Sequence, residues 1–204
     1  MDELNRPTAG RLDARRCWAL IVALIAACYA ALALANEIRI HGARLERGDD
    51  GGYTLSADFE LSLSDRLQDV LSEGVPLYFI IEFECYRPRW YWFDASVAKK
   101  KHQVRLSFHA LTRTYRLSTG ALHQSFNSAK EAVEALGTVR GWHVLEAGDL
   151  EPNTSYEVAL RMMLDVDQLP KPFQVSALTN RDWTLSSNWE RWGFATDAEG
   201  KIAQ

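Results

Sequence analysis

Glu82 and Glu84 share one face of a predicted strand at a spacing that could support paired carboxylate chemistry. At i and i+2 on a strand, two carboxylates share one face about 7 Å apart. That separation suits glycoside hydrolysis, where one acid protonates the leaving oxygen and the other attacks or activates water. Such a pair needs unequal environments, and nothing near Glu82 and Glu84 in the sequence supplies them. The expectation is an exposed strand face paired with arginines such as Arg105. Cys85 could act as a nucleophile only beside a base in an electropositive setting. It falls in phase with Leu77, Phe79, Ile81 and Phe83, so it reads as a small buried hydrophobe. The five histidines, at 41, 102, 109, 123 and 143, include no pair at the i, i+4 spacing of a helical metal site. The chain has no G-x-S-x-G elbow, H-E-x-x-H, P-loop or C-x-x-C. No catalytic residue, metal ligand or cofactor is expected.

The densest chemistry of another kind lies in Tyr86–Asp94, which holds five aromatic residues and two arginines in nine positions. Read as a strand following an Arg87-Pro88 turn, it would turn Trp90 and Trp92 one way and Arg89, Tyr91 and Phe93 the other. One face could enter a core, leaving large rings on the other. Aromatic rings beside arginine are typical of recognition surfaces, so Arg87, Arg89, Trp90, Tyr91 and Trp92 form the candidate binding site. The competing expectation is that a helix or the C-terminal residues cover these rings. Trp183, Trp189 and Trp192 could provide that cover, the last two stacked on one face of a helical turn. Lys99-Lys100-Lys101 reads as a solvated turn. The net charge of −4, from 23 basic and 27 acidic residues in 204, excludes a general nucleic-acid binder.

The elements that must position these residues are mostly strands. Asn36–Glu46 and Tyr53–Leu63 flank the turn-rich segment 47–52 as a long hairpin. In the second arm Tyr53, Leu55, Ala57, Phe59, Leu61 and Leu63 alternate with polar residues, the pattern of a strand with one buried face. Pro76–Tyr86 alternates likewise, and Arg89–Asp94, Val104–Ala110 and Thr112–Ser118 continue the series. Two short helices interrupt: Asp65–Ser72, capped by Ser64, and Ala129–Leu136, opened by a Ser128–Glu131 capping box and stopped by Gly137. Leu150–Val158 fits L-x-P-x-T-x-Y-x-V and resembles the corner of fibronectin type III-like sandwiches, in which the tyrosine hydroxyl returns to upstream backbone. Tyr156 is the matching position. The predicted fold is a mainly β, antiparallel sandwich of immunoglobulin or fibronectin type III-like kind with two short helices. It occupies residues 36–194, and residues 195–204 are expected to be a flexible tail.

The first 35 residues read as an address. Arg11, Arg15 and Arg16 precede an uncharged run from Cys17 to Ala35, and Ala33-Leu34-Ala35 is a cleavage triplet. A cleaved signal peptide with the mature start at Asn36 is expected. The alternatives are an uncleaved anchor, since 19 residues can span a bilayer, and lipidation at Cys28. All three place residues 36–204 in the periplasm, free or anchored to the inner membrane, with membrane contact only through residues 17–35 if these are retained. The remaining domain has Cys85 as its sole cysteine, so its core and not a disulfide must hold it.

Together these stretches resemble a secreted proteobacterial family, domain of unknown function 4390. The resemblance rests on the signal segment, Pro76–Phe83, Tyr86-Arg87, Leu111–Tyr115, Gln124–Phe126, Tyr156–Arg161, Leu164-Asp165, Leu169–Gln174 and Asp182-Trp183. It implies export and, in many members, a gene beside a nitrogen-regulation-type sensor kinase. It brings no substrate and no site. The leading functional expectation is an exported binding or accessory module of the cell envelope, working with an envelope or membrane protein or a sensor kinase's outer portion. A carbohydrate- or lipid-binding domain comes second, and a hydrolase around Glu82 and Glu84 third.

Overall fold

Alternation of apolar and polar residues sets most of the architecture. The computed structural model describes residues 38–91 and 94–202, so residues 1–35, expected to be a signal peptide, and Trp92 lie outside the described residues. Among the described residues no helix is long and apolar enough to cross a membrane. The strands are β1 (Arg39–Arg47), β2 (Tyr53–Glu60), β3 (Leu77–Arg87), β4 (Ala95–His109), β5 (Thr114–Thr119), β6 (Leu122–Phe126), β7 (Thr138–Leu145), β8 (Ser155–Leu164) and β9 (Glu190–Ala195). They form two antiparallel sheets, β1-β2-β7 and β6-β5-β4-β3-β8-β9. The chain crosses from β2 to β3 and returns from β6 to lay β7 beside β2. This places A, B and E strands opposite a C, F and G core, as in immunoglobulin-like sandwiches.

The inner faces are those the alternation predicts. Leu77, Phe79, Ile81, Phe83 and Cys85 of β3 are buried, as are Tyr53, Leu55, Ala57 and Phe59 of β2. Phe83 meets Trp142 of β7 edge-on at 6.3 Å between ring centroids, a contact from one sheet to the other. The helices α1 (Asp65–Ser72) and α2 (Ala129–Leu136) have the predicted bounds. The Ser64 hydroxyl accepts from the Leu67 N–H and the Ser128 hydroxyl from the Glu131 N–H, each satisfying a donor that the helix start leaves free. α1 buries Leu67, Val70 and Leu71 against the core.

Four elements were not predicted: β6, β7, β9 and a third helix, α3 (Lys171–Ala177). Three expectations are corrected. The stretch from Arg89 is not a strand, because pairing between β3 and β4 ends at Arg87 opposite Ala95 and Pro88 has no N–H to extend it. Trp189 and Trp192 do not share a helical turn; Trp192 is in β9, paired with Val158. The lysine trio is not a turn but lies within β4, where Lys99, Lys100 and Lys101 face Glu84, Glu146 and Glu82. Residues beyond β9 are tied back onto the sandwich. The Thr196 hydroxyl donates to the Glu151 carbonyl, and the Ile202 N–H donates to the Tyr53 hydroxyl.

The sandwich has two poles. Ile38 enters at one, donating to the Ser186 carbonyl; Ser186 bridges Met163, which pairs with Ile80. The β3–β4 connection lies at the other, beside the β7–β8 corner.

Candidate functional site

At that second pole β3 and β4 diverge into the connection 88–94. The strands are held close beneath it by a bulge, where Cys85 faces Ala98 and Tyr86 faces Ser96. The Arg89 N–H donates to an Asp94 carboxylate oxygen at 3.2 Å across the base of the loop. Arg87 reaches sideways to Glu151 at 2.5 Å, fastening the loop to the corner that precedes β8. Trp90 is 94 % exposed and Tyr91 69 % exposed, their rings meeting edge to face at 5.0 Å. Trp90 and Tyr91 are therefore not covered, whereas the Tyr86 ring is half-buried with the Lys99 ammonium over it at 5.4 Å. Trp183 is buried elsewhere, between Phe173 at 5.1 Å and the Arg66 guanidinium at 5.4 Å. Trp189 receives the Arg161 guanidinium over its face at 4.4 Å. The structure thus places Arg87, Arg89, Trp90 and Tyr91 together on one exposed tip, with Arg87 already engaged.

The corner beside the tip is built as the sequence motif predicts. The Glu151 N–H donates to the Tyr156 hydroxyl at 2.7 Å, and the Tyr156 ring stacks on Phe194 at 5.4 Å. Tyr156 is buried, so its hydroxyl finds its partner in backbone and not in water.

The carboxylate pair does not have the environment of a glycosidase. Glu82 is nearly buried, and burial alone would raise its pKa. Hydrogen bonds from Lys101 and Arg161 outweigh that and hold the carboxyl below its usual range. The contacts are 2.7 Å to Lys101 and 2.5 Å to Arg161. A carboxylate held ionised in this way cannot serve as the general acid. Glu84 pairs with Lys99 at 3.2 Å. The expected exposed, arginine-paired face is therefore corrected in two details: Glu82 is buried, and its arginine is Arg161, while Arg105 faces Tyr78 across the sheet. The Cys85 thiol is fully buried, and burial pushes its pKa up to about 12, the reverse of what a nucleophile needs.

Two larger hollows accompany these features. One of about 560 Å³ lies between the end of β2 and α2, lined by Phe59, Leu61, Leu63 and Val133. The other, about 620 Å³, opens between β7 and the β4–β6 arm and contains His102, Trp142 and His143. Burial lowers the pKa of His102, which packs against Trp142 at 5.2 Å. His143 is tied to Glu146 at 3.0 Å. Among the described residues no group of His, Cys, Asp and Glu is placed to hold a metal ion. Sequence reasoning missed the second hollow because β6 and β7, which shape it, carry no clean alternation.

Residues 35–193 match the family described as Domain of unknown function (DUF4390), and the chain belongs to that family. No curated protein and no solved structure matches the chain.

Proposed function

We propose that this chain is an exported binding or accessory module of the cell envelope and that the Arg87–Tyr91 tip is its recognition surface for an envelope or membrane protein. On this reading the domain is periplasmic, released by cleavage after Ala35 or held at the inner membrane by residues 17–35. The outer portion of a sensor kinase is one partner of this kind. The observation that carries the proposal is the exposure of Trp90 and Tyr91 beside arginines. Large aromatic residues in water lose the contact area they would gain in a partner's pocket. The loop is also braced at its base by the Arg89–Asp94 and Arg87–Glu151 contacts, which lowers the entropy lost on docking. The two rings meet at 71°, so they present a wedge and not the flat platform that stacks on a sugar.

The test pairs two measurements on Trp90→Ala, Tyr91→Ala and Arg89→Ala: thermal stability, and crosslinked capture from membranes. Capture falling several-fold at an unchanged Tm supports the proposal. Capture unaffected in all three variants, or lost only where Tm also falls, overturns it. Glycan and lipid-vesicle arms separate the carbohydrate- and lipid-binding reading from the protein one.

A further inference from the structure

The outer face of the six-stranded sheet carries a row of polar side chains that the tip does not involve. Tyr78 of β3 faces Arg105 of β4, Arg105 faces Ser118 of β5, and Ser118 faces His123 of β6. Because Leu77, Leu106 and Leu117 point into the core, these four neighbours point out. Gln103 and Arg116 flank the row, and the Gly120-Ala121 turn closes one end of a cleft of about 380 Å³.

Two features single out this cleft. Arg105 and Arg116 are diagonal neighbours across β4 and β5, with Cβ atoms about 7 Å apart. Neither has an acidic partner within 4 Å among the described residues, a state shared with Arg39, Arg47, Arg66, Arg89 and Arg113, so it is their adjacency on one sheet face that sets this pair apart. In addition, the Arg116 Nε is shielded from solvent and has no hydrogen-bond partner among the described residues. A shielded guanidinium N–H without an acceptor is costly, and a second cation close by adds to that cost.

We propose that this cleft binds a phosphate group. A tetrahedral dianion presents enough oxygens to take forked hydrogen bonds from two guanidiniums at once, which a single planar carboxylate does less well. The Tyr78 and Ser118 hydroxyls and the Gln103 amide supply further donors around the same space. The volume admits a phosphorylated group of about monosaccharide size. The cleft lies at the Ile38 pole, away from the Trp90 tip, so the site is independent of the recognition surface proposed above. The phosphate could belong to a soluble small molecule or to a lipid headgroup, and the experiment distinguishes the two.

The probe is inorganic phosphate added to the purified full chain, with chloride at matched ionic strength as control. Phosphate at ten times its Kd should raise Tm by roughly 3–5 °C over chloride. Arg105→Gln, an exposed position, should leave the chloride Tm unchanged or slightly higher and abolish the phosphate response. Arg116→Lys, which keeps the charge but loses the fork, should weaken phosphate binding about tenfold by calorimetry. A phosphate response no larger than that of chloride, or one that survives in Arg105→Gln, overturns the proposal. Arg105-dependent binding to phosphatidic acid vesicles, whose headgroup is a phosphomonoester, absent with phosphatidylcholine, supports it with a lipid source. A phosphate response without vesicle binding supports it with a soluble one.

Discussion

Tyr156 and Trp90 occupy the same pole of the sandwich, joined through the Arg87–Glu151 bridge, and are treated oppositely by the fold. Tyr156 is 3 % exposed, its ring on Phe194 and its hydroxyl on the Glu151 N–H. Trp90 is almost wholly in water. Residue type does not separate them, since both are large amphipathic rings in segments containing proline. Their place in the hydrogen-bond ladder does. Tyr156 is on β8, paired with Phe194 of β9 and next to Glu157, the last β8 residue paired with β3, so the pleat fixes which way it points. Trp90 lies three residues beyond the last β3–β4 pair, where no pleat directs a ring inward. The corner therefore buries its ring in the core, and the tip leaves its rings free, as the proposed recognition role requires.

The largest effect expected on the stability side is Tyr156→Ala. Losing a buried ring should cost about 3–5 kcal/mol in denaturant unfolding; a loss under ~1 kcal/mol would break the distinction. Next comes Cys85, two residues before the strand gives way to the tip. Its thiol is held neutral up to about 12 when folded, against an ordinary value of 9. The folded state therefore keeps its proton where the unfolded chain loses it, and this contribution to stability is complete below pH 9 and declines as pH rises toward 12. The stability difference between the native chain and Cys85→Ala should shrink between pH 8 and pH 10.5, and alkylation at pH 8 should be at least tenfold slower folded than unfolded. Tyr156→Phe removes one buried hydrogen bond and should cost about 1–2 kcal/mol with the fold intact. The Arg87–Glu151 bridge is partly exposed, and a double-mutant cycle should return about 0–1 kcal/mol of coupling. Trp90→Ala should shift stability by no more than about 0.5 kcal/mol. If it shifts further, the tip is part of the core and the contrast with Tyr156 fails.

Elements whose periodicity coincides with one buried face were legible from the sequence. β2 and β3 show this directly, and the Ser64 and Ser128 caps fixed both helix starts because a hydroxyl three residues before a free N–H is a local device. Tyr156 was legible for the same reason: its partner is five residues away. β7 was not, because its register against β2 slips twice, between Tyr53 and Thr54 and between Leu55 and Ala57, so Val139, Val144 and Leu145 fall out of phase. β9 is an edge strand with few inward residues, and its Trp192 together with Trp189 just before it mimics a helical repeat. α3 buries no residue fully, leaving no apolar stripe to read. At the candidate tip the residues were legible but their geometry was not, since where β3 ends depends on pairing with β4. The Arg105–Arg116 cleft was hidden for a related reason: its members come from four strands and converge only through register.

The separation of the two poles sets a reach. Ile38 enters level with Ile80, and seven further residues of β3 carry the chain to Arg87, roughly 23 Å away at strand rise. Within the sandwich, Trp90 and Tyr91 therefore stand a full strand length from the place where Ile38 joins β8 through Ser186, so a molecule seated on that tip would leave the Ile38 end of the domain uncovered.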